Sequence, residues 1–354
     1  MGQTDIILSI IIPSYNMEMY LDRCLSSLIV DNSLMNKFEV LVINDGSKDR
    51  TSEVAHRFCS NYPETFKVFD KENGHYGSCV NRGLAEAEGD FIKLLDADDI
   101  FDTGVFARFL LFLKENTHSN ADVILSDSSR VNENNKERYN VHFSKHKGPY
   151  TVKDLTDSDK FFWSMPGLTY KTSFLREISY RQTEGIAYTD NEWAFVPMAF
   201  AKKILHFDGV LYLYMLGREN QSVNDAVHAK NLWMETEVLV HILKYLDQQK
   251  KRIDQENSVF LSDKLLISVT HLYQLYLVTY NHFNISLLPL VRFDQELKVL
   301  SPRLYAQTEQ YATKICGITF YPVKNWRHKH RLLAEIQATL YCFADGLNKF
   351  RNRR

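Results

Sequence analysis

At 354 residues, with 45% hydrophobic and 24% charged side chains and a net charge of −2, the chain has an ordinary globular composition and room for one large core or two smaller ones. That balance excludes the basic footprint of a nucleic-acid binder. Five scattered cysteines (Cys24, Cys59, Cys79, Cys316, Cys342), odd in number and without CxxC spacing, exclude a disulfide framework or a zinc site and fit a reducing cytoplasm.

Taken in order, Met1 to Asp5 carries no cationic leader, and the apolar run that follows stops at Pro13, too short for a signal or anchor. Ile7 to Ile12 predicts a buried strand, Ser14-Tyr15-Asn16 a loop, and Leu21, Leu25 and Leu28 one face of a helix. Phe38 to Ile43 predicts a second strand, stopped by Asn44-Asp45-Gly46-Ser47, with a helix from about Thr51 to Asn61. Phe66 to Phe69 is a short third strand. After it come the loop Asn73-Gly74-His75-Tyr76-Gly77 and a helix from Ser78 to Glu88, closed by Gly89. Phe91 to Leu95 is a fourth strand, a helix from about Thr103 to Glu115 follows, and Asp122 to Ser126 is a fifth. Such alternation predicts right-handed crossovers and a largely parallel sheet.

The fourth strand runs straight into Asp96-Ala97-Asp98-Asp99. Carboxylates so close repel one another unless a cation or a hydrogen-bond network holds them, and an oxygen-ligated Mg²⁺ or Mn²⁺ answers that need. The competing reading is a helix N-terminus that favours negative charge. Tyr15, Asp45, the Gly74 to Gly77 loop, Asp96 and Asp98 all follow strand ends, so the fold gathers them on one rim of nucleotide size. Neither GxGxxG after the first strand nor GxxxxGK[ST] anywhere is present, which excludes the familiar dinucleotide and P-loop devices.

Ser128 to Lys160 is polar and aperiodic and reads as a mobile insertion or lid. Beyond it stand Trp163, Met165, and Tyr188-Thr189-Asp190-Asn191-Glu192-Trp193, opening a helix that runs on through Ala199; a strand from Val210 to Tyr214 then leads towards Arg218. From about His228 the pattern turns helical. Leu265 to Tyr280, broken by His271 and Gln274 and short of the roughly 20 residues of a membrane span, predicts a buried helix. The tail from Tyr321 joins Lys324, Arg327, Lys329 and Arg331 to an apolar stripe of Leu332, Leu333, Ile336, Leu340 and Phe343. Two settings suit it: an anionic membrane surface holding a lipid-linked acceptor, or a neighbouring helix or second subunit.

Pro13-Ser14-Tyr15-Asn16, Val42-Ile43-Asn44-Asp45-Gly46-Ser47, Leu95-Asp96-Ala97-Asp98-Asp99 and Tyr188-Thr189-Asp190 with Trp193, in that order, resemble the family 2 glycosyltransferases. Asn73-Gly74 and Asn81-Arg82-Gly83 also look like that family's loop and helix before its DxD strand. The resemblance covers about residues 6 to 222. It implies an α/β GT-A fold: a Rossmann-like mixed sheet with flanking helices, a nucleotide-sugar-binding half at 6–126 and an acceptor-binding half at 127–225. Residues 226–354 would form a separate helical region ending in the basic tail.

Carried over by position, Pro13, Tyr15, Asn16, Asp45, Gly74, Arg82, Asp96, Ala97 and Asp98 would bind the nucleotide sugar. Tyr15 would stack on the base, Asp45 would accept its imide N–H, as suits a uridine or thymidine donor, and Asp98 would hold the divalent metal. Asp99 would do no more than cap the following helix. Asp190 would be the general base of an inverting transfer to a hydroxyl of a glycan or lipid-linked acceptor in bacterial surface polysaccharide assembly. Thr189 stands where the family commonly has Glu, so Glu192 is the alternative base. His75, Trp163, Met165, Trp193 and Arg218 are the acceptor-side candidates. Two rival functions share these features: a sugar-phosphate nucleotidyltransferase, which needs a glycine- and lysine/arginine-rich loop after the first strand, and a non-catalytic nucleotide-sugar or glycan binder.

Overall fold

The computed structural model describes residues 6–142, 148–155, 164–217, 225–315 and 318–328, together with 336 and 340. The chain divides into two compact units, Met1–Glu219 and Asn220–Arg354.

In the first unit the β-branched run Leu8–Ser14 forms β1, and Ile10, Ile11 and Ile12 have no exposed surface. A strand apolar on both faces can be satisfied only in the middle of a covered sheet. β1 accordingly pairs in parallel with β2 (Phe38–Asn44) on one side and β4 (Phe91–Leu94) on the other, and β2 pairs in parallel with β3 (Phe66–Asp70). The remaining strands are β5 (Ile100–Phe101), β6 (Val123–Asn132), β7 (Arg138–Val141), β8 (Leu168–Lys171) and β9 (Ile204–Leu216). They extend the sheet in the order β3-β2-β1-β4-β8-β6-β9-β5, with β7 paired to β6.

The sheet is thus mixed rather than largely parallel, because β8 enters antiparallel between β4 and β6. The expected lid at 128–160 is corrected in its first part. β6 continues through the polar residues to Asn132, since β9 and β7 supply backbone partners along that stretch.

Helices α1 (Leu21–Ser26), α2 (Asn32–Met35), α3 (Thr51–Asn61), α4 (His75–Glu86), α5 (Thr103–Asn116), α6 (Thr172–Glu177) and α7 (Asp190–Phe195) complete this unit. α4 lies close on β1: a Cβ on Gly83 would stand 2.5 Å from the Ile11 side chain. The helix expected to run through Ala199 ends at Phe195 and is followed by a 3₁₀ turn, Pro197–Ala199, because Pro197 offers no N–H to continue the ladder. Lys93 is wholly buried in β4, its ammonium donating to the carbonyls of Pro166 (2.8 Å) and Leu168 (3.3 Å). Burial alone brings its pKa down to about 7.

The second unit holds α8 (Asp225–Gln249), α9 (Gln255–Phe283), α10 (Leu288–Leu300), α11 (Pro302–Gln310) and α12 (Pro322–Arg327), with a short antiparallel pair, β10 (Thr313–Ile315) and β11 (Ile318–Phe320), between α11 and α12 in the chain. Asp254 caps α9 by accepting from Asn257 N (2.8 Å). Leu265, Val269, Leu272, Tyr273, Tyr276 and Leu277 form the buried stripe of α9. Arg327 locks α12 in place: it donates to Asp294 (2.8 Å) and stands 3.5 Å over the Tyr305 ring. No described helix is long and apolar enough to cross a membrane. The basic stretch from Lys329, except Ile336 and Leu340, lies outside the described residues.

Candidate active site

The loops after β1, β2 and β4 open on one rim because parallel strands carry their carboxyl ends to the same side. Ser14 O accepts from Asp45 N (2.8 Å), which joins the first two loops. Asn16, with φ 53°, accepts from Lys48 N through Oδ1 (2.8 Å), and its own N–H donates to Ser47 Oγ (3.0 Å). These bonds fix the loop beside Pro13 and leave the Tyr15 ring 46% exposed.

Asp45 is buried. Its Oδ1 accepts from Lys71 Nζ (2.6 Å) and from Gly74 N (2.9 Å), and its carbonyl from Asn73 Nδ2 (3.0 Å). The 71–74 loop therefore wraps this carboxylate and hands the chain to α4 through His75, an exposed residue at φ 64°. Arg82, on the outer face of α4, pairs with Glu86 (2.9 Å) and stands 5.0 Å over the Phe69 ring.

The three carboxylates after β4 converge, with one oxygen from each of Asp96, Asp98 and Asp99 lying within 4.8 Å of the others. Asp96 Oδ1 accepts from Tyr76 Oη (2.9 Å), and its N–H donates to Tyr212 Oη (3.2 Å). Asp99 has no exposed surface and accepts from Tyr212 Oη (2.7 Å) and Met215 N (2.8 Å). Its carboxyl is raised well above the usual range, first by burial and then by Asp98 and Asp96. Capping of α5 falls instead to Asp102, which accepts from Val105 N (3.1 Å). That corrects the expected role of Asp99: the two-residue β5 intervenes between it and the helix. An all-carboxylate set under mutual repulsion, in part exposed, fits a hard divalent cation. Ala97, between Asp96 and Asp98, is buried.

Asp190 opens α7 after Tyr188, which sits at φ 62°. The phenols of Tyr76 and Tyr214 are both pushed up, first by burial, and in both cases Asp96 and Asp190 add to the shift. Asn16, His75 and Tyr188 are three of the seven non-glycine residues with left-handed backbone among the described residues. Glu192 has a different setting. It is buried, both its oxygens accept from Thr183 (N and Oγ1, each 2.6 Å), and burial raises its pKa.

Two acceptor-side expectations are corrected. Trp193 has no exposed surface and packs edge-on against Tyr170 (4.8 Å) and Tyr180 (5.6 Å), and Met165 is 4% exposed. Both belong to the core beneath the rim, where their apolar area is removed from water, and line no open surface. Trp163 and Arg218 lie outside the described residues. Sequence reading missed Tyr76, Tyr212 and Tyr214, the phenols around the acids; their signal was polar-tipped aromatics on a helix start and a late strand, which looks the same as core packing.

Residues 9–180 match the family model described as Glycosyl transferase family 2. Among curated proteins, the poly(ribitol-phosphate) beta-N-acetylglucosaminyltransferase TarS of Staphylococcus aureus is 25% identical over 266 residues, 74% of this chain and 45% of its own length. The poly(ribitol-phosphate) beta-glucosyltransferase of Bacillus spizizenii is 26% identical over 260 residues, 72% of this chain and 39% of its own. The minor teichoic acid biosynthesis protein GgaB of Bacillus subtilis is 34% identical over 107 residues, 30% of this chain and 12% of its own. The chain thus spans less than half the length of these curated relatives. Among solved structures, S. aureus TarS 1-349 in complex with UDP-GlcNAc superposes with a TM-score of 0.54 at 17% identity, covering 89% of this chain and 96% of that one. The two share the same mixed, helix-flanked GT-A architecture.

Proposed function

Because residues 9–180 belong to glycosyl transferase family 2, we propose that the chain is a metal-dependent inverting glycosyltransferase. It moves a sugar from a nucleotide diphosphate, a uridine diphosphate sugar in our reading, to a hydroxyl of a glycan or lipid-linked acceptor in bacterial surface polysaccharide assembly. The observation that supports this reading is the convergence of Asp96, Asp98 and Asp99, one oxygen from each within 4.8 Å of the others, on the rim where Tyr76 donates to Asp96 (2.9 Å). In our reading Asp190 faces the same space, in keeping with its part in pushing up the Tyr76 and Tyr214 phenols.

In this mechanism Tyr15 stacks on the nucleobase and Asp45, held by Lys71 and Gly74, faces its polar edge. Asp98, with Asp96 beside it, would hold a divalent cation, which when bound neutralises charge on the departing diphosphate. Asp190 accepts the proton of the acceptor hydroxyl as that oxygen bonds to the anomeric carbon and the bond to the diphosphate breaks on the opposite face. We assign this role to Asp190 rather than Glu192, because Thr183 occupies both oxygens of Glu192. The free thiols of Cys24 and Cys79, both buried, suit work in a reducing cytoplasm, and contact of the basic tail with an anionic membrane belongs to the same proposal.

Thermal unfolding with a panel of nucleotide sugars, each with and without Mn²⁺, tests it. Uridine diphosphate sugars should raise the midpoint more with Mn²⁺ than without, since a ligand of the native state stabilises by mass action. No shift with any of them would refute the donor assignment.

A further inference from the structure

Residues 181–185 connect α6 to the loop that opens α7, and they are gripped from both sides. On the α4 side, Asn81 Oδ1 accepts from Gln182 N (2.8 Å) while its Nδ2 donates to Gln182 O (2.8 Å) and Glu184 Oε1 (2.8 Å). One turn earlier the backbone comes closer still: a Cβ on Gly77 would stand 1.8 Å from Thr183 O, a distance no side chain tolerates. Gly185 N donates to Gly74 O (3.0 Å). On the α7 side, Glu192 accepts from Thr183 N and Oγ1 (each 2.6 Å), and Gln182 Nε2 donates to Thr189 O.

α4 is also the element that holds the opposite wall of the site. Its N-cap Gly74 donates to Asp45 (2.9 Å), and its Tyr76 donates to Asp96 (2.9 Å). The same rigid helix therefore sets two acids of the rim and, through residues 181–185, the start of the helix that carries Asp190. Each of the three contacts on α4, at Gly74, Gly77 and Asn81, is spaced at one helical turn, so they lie on one face.

We propose that Asn81 is a positioning residue for Asp190: with Gly77 and Glu192 it clamps residues 181–185 as a strap that fixes the base helix relative to the Asp96–Asp98 cluster. This rests on the assignment of Asp190 as base. In this proposal Asn81 acts through the strap rather than by contact with donor or acceptor. A general base gives its full advantage only when held within hydrogen-bond reach of the proton it removes, so loosening the strap lowers turnover and leaves donor affinity in place.

The test uses the full chain with UDP-GlcNAc and Mn²⁺, water serving as acceptor. Water oxygen bonds to the anomeric carbon, the bond to UDP breaks, and UDP release is measured. Asn81→Ala should lower kcat at least tenfold with the donor KM changed less than threefold. Combined with Asp190→Asn it should cause no further loss, because the two changes remove one function. Gly77→Ala, acting on the strap from another position, should show the same kcat loss and the same non-additivity. Amide hydrogen exchange of the ligand-free chain supplies a second readout. In Asn81→Ala, exchange should speed up not only at Gln182 but also at Thr183 and Gly185, whose own partners are untouched. Losses that multiply between Asn81→Ala and Asp190→Asn, an unchanged kcat, or acceleration confined to Gln182 would overturn the proposal. Full turnover by Asp190→Asn would instead refute the base assignment, and the exchange pattern would still decide whether the strap is held as a unit.

Discussion

Lys93 carries a pH-dependent cost to the stability of the folded chain. Its ammonium is wholly buried against two carbonyls, and burial brings its pKa down to about 7. In the unfolded chain a lysine titrates near 10.4. Between those values the unfolded state binds more protons than the folded one, so this residue makes stability rise with pH; below pH 7 its full penalty is present. Integrating the two titrations gives a gain of about 2.5 kcal/mol from pH 6 to pH 9. Lys93→Met keeps an unbranched chain of similar volume and removes the proton. It leaves the carbonyls of Pro166 and Leu168 without this donor at every pH, a constant cost of about 1–3 kcal/mol. Urea unfolding of both chains at pH 6, 7, 8 and 9 isolates the titration, because other groups cancel in the difference. The stability of the variant relative to wild type should fall by about 2.5 kcal/mol across that range. A difference that stays flat with pH would refute the argument that the lysine is charged at a cost in the folded chain.

Three further outcomes follow from the same geometry. Gly83→Ala places a methyl 2.5 Å from the Ile11 side chain and should destabilise by about 1–3 kcal/mol, read as a lowered thermal midpoint; an unchanged midpoint would mean that α4 can lift off β1 freely. Tyr212→Phe removes a donor to the buried Asp99 and should cost about 1–3 kcal/mol in urea unfolding, with Tyr214→Phe as the comparison. Asp98→Asn should abolish the extra stabilisation that Mn²⁺ adds to UDP binding in thermal unfolding, and a retained Mn²⁺ effect would assign the cation to other ligands.

How much of this was legible in the sequence depends on what each residue's neighbours are. The alternation of strand and helix to residue 126 could be read because buried parallel strands are contiguous apolar runs, and Gly46 follows the end of the second; the first runs one residue past Pro13 to Ser14. The rim followed from that alternation alone, since topology carries Tyr15, Asp45 and Asp96 to one side whatever their side chains do. The polar residues of β6 gave no such signal; Ser128 and Ser129 are strand because β7 and β9 pair with them, and pairing partners 11 to 84 positions away leave no local mark. Trp193 and Met165 looked like pocket residues because an aromatic or thioether side chain near a candidate base reads alike whether it faces a cleft or a core. The strap was invisible for a similar reason: Asn81 and Gln182 are far apart in the chain, and an asparagine on a helix surface announces no partner.

The near-contact between Gly77 and the Thr183 carbonyl has a consequence for engineering by exchange of segments between related enzymes. A graft of the region around residues 73–86 alone would bring in a helix cut to fit another connection, and any side chain at position 77 would collide with the backbone it must lie against. Chimeras should therefore move 73–86 and 181–192 as a matched pair, with crossovers placed in the strands on either side, if the acids at the two walls are to keep their spacing.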